Sequence, residues 1–376
     1  MGIIFVMFIM HVGGIYMLGN DKTIFKYLEP INNNLFSLMN KSDIDELLIM
    51  LEGYYLEYRN TLGISKSDTF GIEIEFEYFD GYDKRLFTDF YYILTSAIAN
   101  EKWDSRNDMS LVKGREIVSD VLIDDVKCWK TVQNVCTFSS CHGKIDKNCA
   151  AHVHVGSQIL GEHPIYWYRF FRLWSIYENI INRFCYGEYL SYRAKIIKYA
   201  RPAASFLEER LKLLDKDLNY SVLDMFRILD GNGGREKYTK HMGISFWRML
   251  ADDNYNIYED FNKFQNGCTL ELRVPNGTFD EVIWQNYINF FIKMLYYCKS
   301  DKFDEDILNK RKLLVIDNFS NLAAYSNIYM DQVMEFVDMI FDNNLDKIYF
   351  LKQYLKSMEI SDKPLVKARK MTDTKI

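Results

Sequence analysis

Early in the chain, apolar residues recur at three-and-four spacing: Ile24, Tyr27 and Leu28, then Leu35 and Leu38, then Ile44, Leu47, Leu48, Leu51, Tyr54 and Tyr55. That spacing predicts helix over residues 21–62, with Ser42 as a cap. At Thr69 the period changes to two: TFGIEIEFEYF alternates polar and apolar positions and predicts a half-buried strand. A helix is expected over 86–100, and strand with turns over 103–119, where Asn107-Asp108 and Gly114 interrupt. CAAHVHVGS at 149–157 predicts a third extended segment, followed by an aromatic-rich helix over 163–187 and a shorter one over 207–215. Gly231-Asn232-Gly233-Gly234 reads as a loop; no helix-opening GKS or GxGxxG pattern follows it. Strands are expected again over 242–247 and 267–275, then helices over 282–297 and 306–355, with a polar, frayed last fifteen residues. Strands come in runs without regular strand–helix alternation, which predicts an α+β fold on an antiparallel sheet.

Composition narrows the classes. With 376 residues, 48% of them apolar, the chain can bury a large core. The net charge of −6 leaves no basic field for a nucleic-acid backbone, so no nucleic-acid partner is expected. Seven cysteines without a CxxC pair suggest neither a disulfide framework nor a thiolate zinc site, and reduced thiols point to a cytoplasmic location. The apolar run over residues 1–20 challenges that reading. It lacks a basic leading region and carries His11 and Gly13-Gly14, so no membrane partner is expected, and Met17 as the working start explains the same run.

Chemistry concentrates in three predicted strands, each with polar residues two apart and therefore on one face, about 7 Å from each other. The pairs are Glu73/Glu75, His152/His154 and Glu271/Arg273, and Glu77 extends the first row. Each pair has a bland reading: a solvated strand face, a hydrogen-bonded core histidine, a cross-strand ion pair. Three repetitions favour a shared polar, catalytic face. Asp108 and Glu116 could add carboxylates to it. Carboxylates and imidazole without thiolates suit magnesium or manganese, and arginine beside them suits a transferring phosphoryl group. The aromatic residues of the 163–187 helix, Tyr166, Trp167, Tyr168, Phe170, Phe171 and Trp174, are expected in the core rather than at a partner interface.

GIEIEFE at 71–77, Trp103 with DMSLVKGREIVS at 108–119, AHVHVG at 151–156, the Arg193–Pro202 stretch and TLELRVPNGTFD at 269–280 together resemble the amidoligase family. That family is a carboxylate–amine ligase branch of the superfamily of glutamine synthetase and glutamate–cysteine ligase. The resemblance spans about residues 68–295. It implies a curved, mainly antiparallel sheet of glutamine-synthetase catalytic type with flanking helices. The chain then divides into an apolar segment (1–20), a helical accessory segment (21–67), a catalytic domain (68–298) and a helical C-terminal extension (299–376). It further implies that Glu75 and Glu116 hold one magnesium ion, with Asp108 beside them, and that Glu73, His152 and Glu271 hold another. His154 is placed near the nucleotide, Arg273 on the γ-phosphate, and Arg193, Tyr199 and Arg201 where the family contacts substrate or phosphate. Glu75, Arg273 and Asp108 are the implied catalytic residues. One departure stands out: KYTKHMGISF supplies Tyr238 but has Ser245 where an asparagine is expected.

The implied activity is an ATP- and Mg²⁺- (or Mn²⁺-) dependent ligation of a carboxylate, on an amino acid or peptide, to an amine through an acyl phosphate. The sequence leaves open a phosphotransferase on the same fold, a metal-dependent hydrolase and a non-enzymatic binding protein. It fixes neither the two substrates nor whether the chain forms a homo-oligomer.

Overall fold

The computed structural model describes residues 56–81, 103–186, 196–215, 217–231, 238–250, 268–311 and 330–356. The period-two run becomes strand β1 (Phe70–Tyr78), and the chain adds β2 (Asp104–Arg106), β3 (Gly114–Val118), β4 (Gly143–Lys144), β5 (Ala151–Gly156), β6 (Ile244–Ser245) and β7 (Thr269–Leu272). They form one open sheet in the order β2-β3-β1-β5-β7-β6, with β4 also paired to β1. Every strand pairing in it is antiparallel. Opposed residues of such ladders share a face. Ile72 faces Val153, Ile74 faces Ile117 and Ala151, and Leu272 faces Val153 and Ile244, so one side of the sheet is continuously apolar. All of these residues are buried. At about 1.5–3 kcal/mol for each buried Val, Leu, Ile or Phe, this face fixes the strand register, because a one-residue slip would turn the apolar set outward.

Helices cover the apolar face: α1 (Val126–His142), α2 (Pro164–Phe184), α3 (Ala204–Leu211), α4 (Val222–Asp230), α5 (Glu281–Lys299), α6 (Glu305–Lys310), α7 (Met330–Ile340) and α8 (Asn344–Lys356). Trp129 of α1 stacks on Phe70 of β1 at 5.2 Å between ring centroids. The aromatic stripe of α2 is core at Trp167, Phe170, Phe171 and Trp174, which are buried, with Trp174 stacked on Phe291 of α5, while Tyr166 and Tyr168 are half-buried against it. One apolar cluster runs from Leu56 to Leu355. All seven cysteines are free. No helix among the described residues is long and apolar enough to cross a membrane.

Several elements differ from expectation. Residues 56–62 are not helical, because their amides bond to side chains instead: Glu57 N–H to Tyr349, Arg59 N–H to Gln285 and Leu62 N–H to Asp124, at 2.8–2.9 Å. Buried Asp124 also accepts from Ile64 N–H and the Trp129 indole, so one carboxylate straps this segment to α1. The expected strand over 242–247 shrinks to two residues between 3₁₀ turns at Tyr238–His241 and Trp247–Met249. The helix expected over 306–355 is interrupted ahead of α8, where Asn343 accepts from Asp346 N–H at the new helix start. Helices α1 and α4 are additional; α4 ends at Gly231, whose φ of 95° is the left-handed conformation glycine adopts without strain. The readings for residues 1–55, the 86–100 helix and Gly233-Gly234 lie outside the described residues.

Candidate active site

The polar side of the sheet carries the chemistry. In the register, Glu73 of β1 lies opposite His152 of β5, Glu75 opposite Glu116 of β3, and His154 opposite Glu271 of β7. Four strands therefore deliver six ionisable side chains to one face, and all but Glu116 are among the buried residues.

Glu73 is the hub. Its Oε2 lies 2.7 Å from His152 Nδ1 and its Oε1 2.9 Å from His154 Nε2, so both imidazoles turn toward one carboxylate. Burial works to raise the Glu73 carboxyl, but the His154 charge and the hydrogen bonds from both histidines outweigh it and hold it well below the usual range. Glu75 accepts from the Ala150 backbone N–H at 2.7 Å and lies 3.6 Å from His152 Nε2. Glu116 lies 4.0 Å from His152 Nδ1. Burial, then the negative charges of Glu73 and Glu75, push it up to about 9. Glu271 is ion-paired with Arg273, and despite burial that cation and His154 keep its carboxyl low.

These groups form three overlapping trios whose donor atoms lie within 4.8 Å of one another: Glu75/Asp108/Glu116, Glu73/Glu116/His152 and Glu73/His154/Glu271. The first is the set the resemblance implies for one ion. For the second ion the donors differ in detail, since His154 joins Glu73 and Glu271, and His152 joins Glu73 and Glu116. The donor chemistry fits magnesium or manganese: carboxylate oxygens with imidazole, at separations that hydrated hard ions bridge.

Glu77 does not extend the row. Its two carboxylate oxygens accept from Val112 N–H and Lys113 N–H at 2.6 Å each, closing the loop between β2 and β3. Asp108 opens the same loop and accepts from Ser110 N–H at 2.5 Å. Glu77 thus positions the loop that presents Asp108.

A cavity of about 440 Å³ sits over the trios, and Glu73, Glu75, Asp108, Glu116, His152, Tyr199, Glu271 and Arg273 all line it. Arg273 Nε donates to the Tyr199 carbonyl at 3.0 Å, and its backbone N–H donates to Gly243, whose own N–H donates to Arg201. Arg201 thus supports the Arg273 strand through its backbone carbonyl and does not line this cavity. Just beyond it, fully buried Glu178 accepts from the N–H groups of Ala203 and Ala204, anchoring the segment. Arg193 lies outside the described residues. A second cavity of about 450 Å³ adjoins on the same face, lined by Glu73, His154, Ser119, Asp120, Gln158 and Thr269 among others. Ser245, at the expected asparagine position, is buried opposite Glu271.

The structure adds residues that sequence reasoning missed: Arg106, Lys240, His241 and Arg248 also line the first cavity. Arg106 was legible, since it lies in a short extended run opposite Glu116. The others sit on irregular turns, where no period marks a face. Burial and the cations Arg273, Lys240 and Arg201 push the His241 imidazole down, leaving a neutral base in the cavity wall.

No curated protein matches the chain. Residues 87–295, more than half of its length, match the family described as "putative amidoligase enzyme", and the chain belongs to that family.

Proposed function

We propose that this protein is an ATP- and magnesium-dependent carboxylate–amine ligase with a catalytic sheet of the glutamine-synthetase type. Family membership suggests an amide-bond-forming ligase. The observation that carries the finer reading is the convergence of three overlapping trios of carboxylates and imidazoles, with Arg273, on two adjoining cavities that share Glu73. Glu75, Asp108 and Glu116 would hold one ion, and Glu73 and Glu271 with His152 or His154 the other; such ions supply charge neutralisation for phosphoryl transfer.

The chain's own groups do the rest. The cavity beside His154 combines apolar walls with Ser119, Asp120 and Gln158, which suits the base and ribose of a nucleotide, and its phosphates then point at Glu73 and Arg273. Arg273, fixed between Glu271 and the Tyr199 carbonyl, offers a planar fork to the γ-phosphate. The substrate carboxylate lies in the first cavity and its oxygen attacks the γ-phosphorus, giving an acyl phosphate and ADP. The amine then attacks the acyl carbon and phosphate leaves. His241, neutral and in the cavity wall, takes the proton that the attacking nitrogen loses.

The test is phosphate release from ATP with Mg²⁺ across pooled carboxylates and amines, with mass analysis of products. Release that needs both substrates, with an amide product, and that falls by about 10²-fold or more in Glu75→Gln and Arg273→Lys, supports the reading. A stable phosphorylated nitrogen would establish a phosphotransferase instead, and turnover without ATP a hydrolase.

A further inference from the structure

Three residues line both cavities: Glu73, Arg106 and Arg248. Their positions in the sheet make this informative. Glu73 is on the central strand β1. Arg106 closes β2, one edge of the sheet, and Arg248 follows β6, the other edge. The turn that carries Arg248 packs back on β7, which brings it inward from the sheet edge and puts both arginines on the rim of the polar face beside Glu73.

Each rim arginine has a reason for its place. Arg106 is opposite Glu116 in the β2–β3 ladder and so shares the polar face, and its Nε donates to Asp104 at 2.7 Å, which orients the guanidinium. Arg248 lies in the short turn after Ser245, the residue opposite Glu271, so its backbone is tied to the strand that supplies Glu271 and Arg273. The wall that the two cavities share thus combines one carboxylate with two guanidinium-bearing residues brought from different strands.

The geometry points to Arg106 and Arg248 as a two-sided clamp on the terminal phosphate of a nucleoside triphosphate, at the passage through which that phosphoryl group moves from one cavity to the other. This rests on the ligase reading above. In the step concerned, a carboxylate oxygen of the substrate bonds to the γ-phosphorus, the bond to the β–γ bridging oxygen breaks, and its electron pair leaves on ADP. No proton moves. Negative charge is conserved on the transferring group and its equatorial oxygens, and guanidinium forks approaching from both sides stay paired with those oxygens throughout. A diphosphate ends short of the passage, so the clamp separates ATP from ADP, whereas groups deeper in the second cavity bind both alike.

The experiment measures binding of ADP and of a non-hydrolysable β,γ-imido ATP analogue, each with Mg²⁺, to wild type, Arg106→Gln and Arg248→Gln. Each substitution should weaken the triphosphate by about 10-fold or more and change ADP by less than about 3-fold. Arg106→Lys and Arg248→Lys keep the charge without the fork and should fall between, which guards against misfolding. Equal losses for both nucleotides, or no loss in either variant, would overturn the clamp while leaving the ligase reading intact. Wild type that binds neither nucleotide would overturn both.

Discussion

Glu116 differs from Glu73 and Glu271 in that its surroundings favour the neutral carboxyl. Its neighbours Glu73 and Glu75 accept hydrogen bonds, one from two imidazoles and the other from the Ala150 amide, while at Glu116 burial and the charges of Glu73 and Glu75 dominate and push it up to about 9. On the metal-binding reading proposed above, a divalent ion would displace a proton from Glu116 at neutral pH. Manganese binding should release close to one proton at pH 7 and tighten as pH rises toward 9, read by calorimetry in buffers of different ionisation enthalpy. The linkage for stability has the opposite sign. A raised carboxyl contributes most below its unfolded value and loses that contribution as pH climbs, so chelated protein should melt progressively lower between about pH 5 and about pH 9. Glu116→Gln should flatten that slope and abolish the proton release; a slope unchanged by the substitution would mean the proton sits elsewhere.

Elements decide whether such residues meet at all, and β3 depends on one close approach. A Cβ at Gly114 would stand 2.0 Å from the Phe76 carbonyl oxygen and 2.9 Å from Leu111, so β3 can hydrogen-bond to β1 here only without a side chain. Gly114→Ala should push β3 off β1, cost about 1–3 kcal/mol in denaturant unfolding and weaken manganese binding through displaced Glu116. Stability and affinity both at wild-type level would show that the strand yields without consequence. This dependence was half visible in sequence. Gly114 reads as a breaker, and period-two runs such as IEIEFE and HVHV disclose face and chemistry together, because strand geometry repeats every two residues. Helix α1 stayed hidden since its buried positions include Cys128, Thr131 and Ser139, which carry little apolar signal. Lys240, His241 and Arg248 were silent for another reason: turns have no period, and only long-range folding brings them over the sheet.

At the scale of the whole molecule, one apolar cluster joins residues on both sides of residue 298. Phe350 of α8 stacks on Phe184 at the end of α2, 4.4 Å between centroids, and also packs on Phe290 of α5 and Phe336 of α7. Gln353 Nε2 donates to the Phe184 carbonyl, capping the end of α2, and Arg59 binds Asp346 at 2.5 Å, tying the segment before β1 to the start of α8. Helix α2 in turn carries Glu178, which anchors Ala203 and Ala204 and through them the Tyr199–Arg201 stretch that holds Arg273. A lesion in α8 should therefore be felt by the entire chain. Phe350→Ala should cost about 3–5 kcal/mol, as removal of a buried ring does, and lower a single cooperative transition followed by both near-ultraviolet circular dichroism and Trp fluorescence. Manganese affinity well below that transition should stay near wild type, because the trios lie on the opposite side of the sheet from the helices. Were α8 an independent appendage, the variant would instead show two transitions, an early one with little near-ultraviolet change and a later one at the wild-type midpoint.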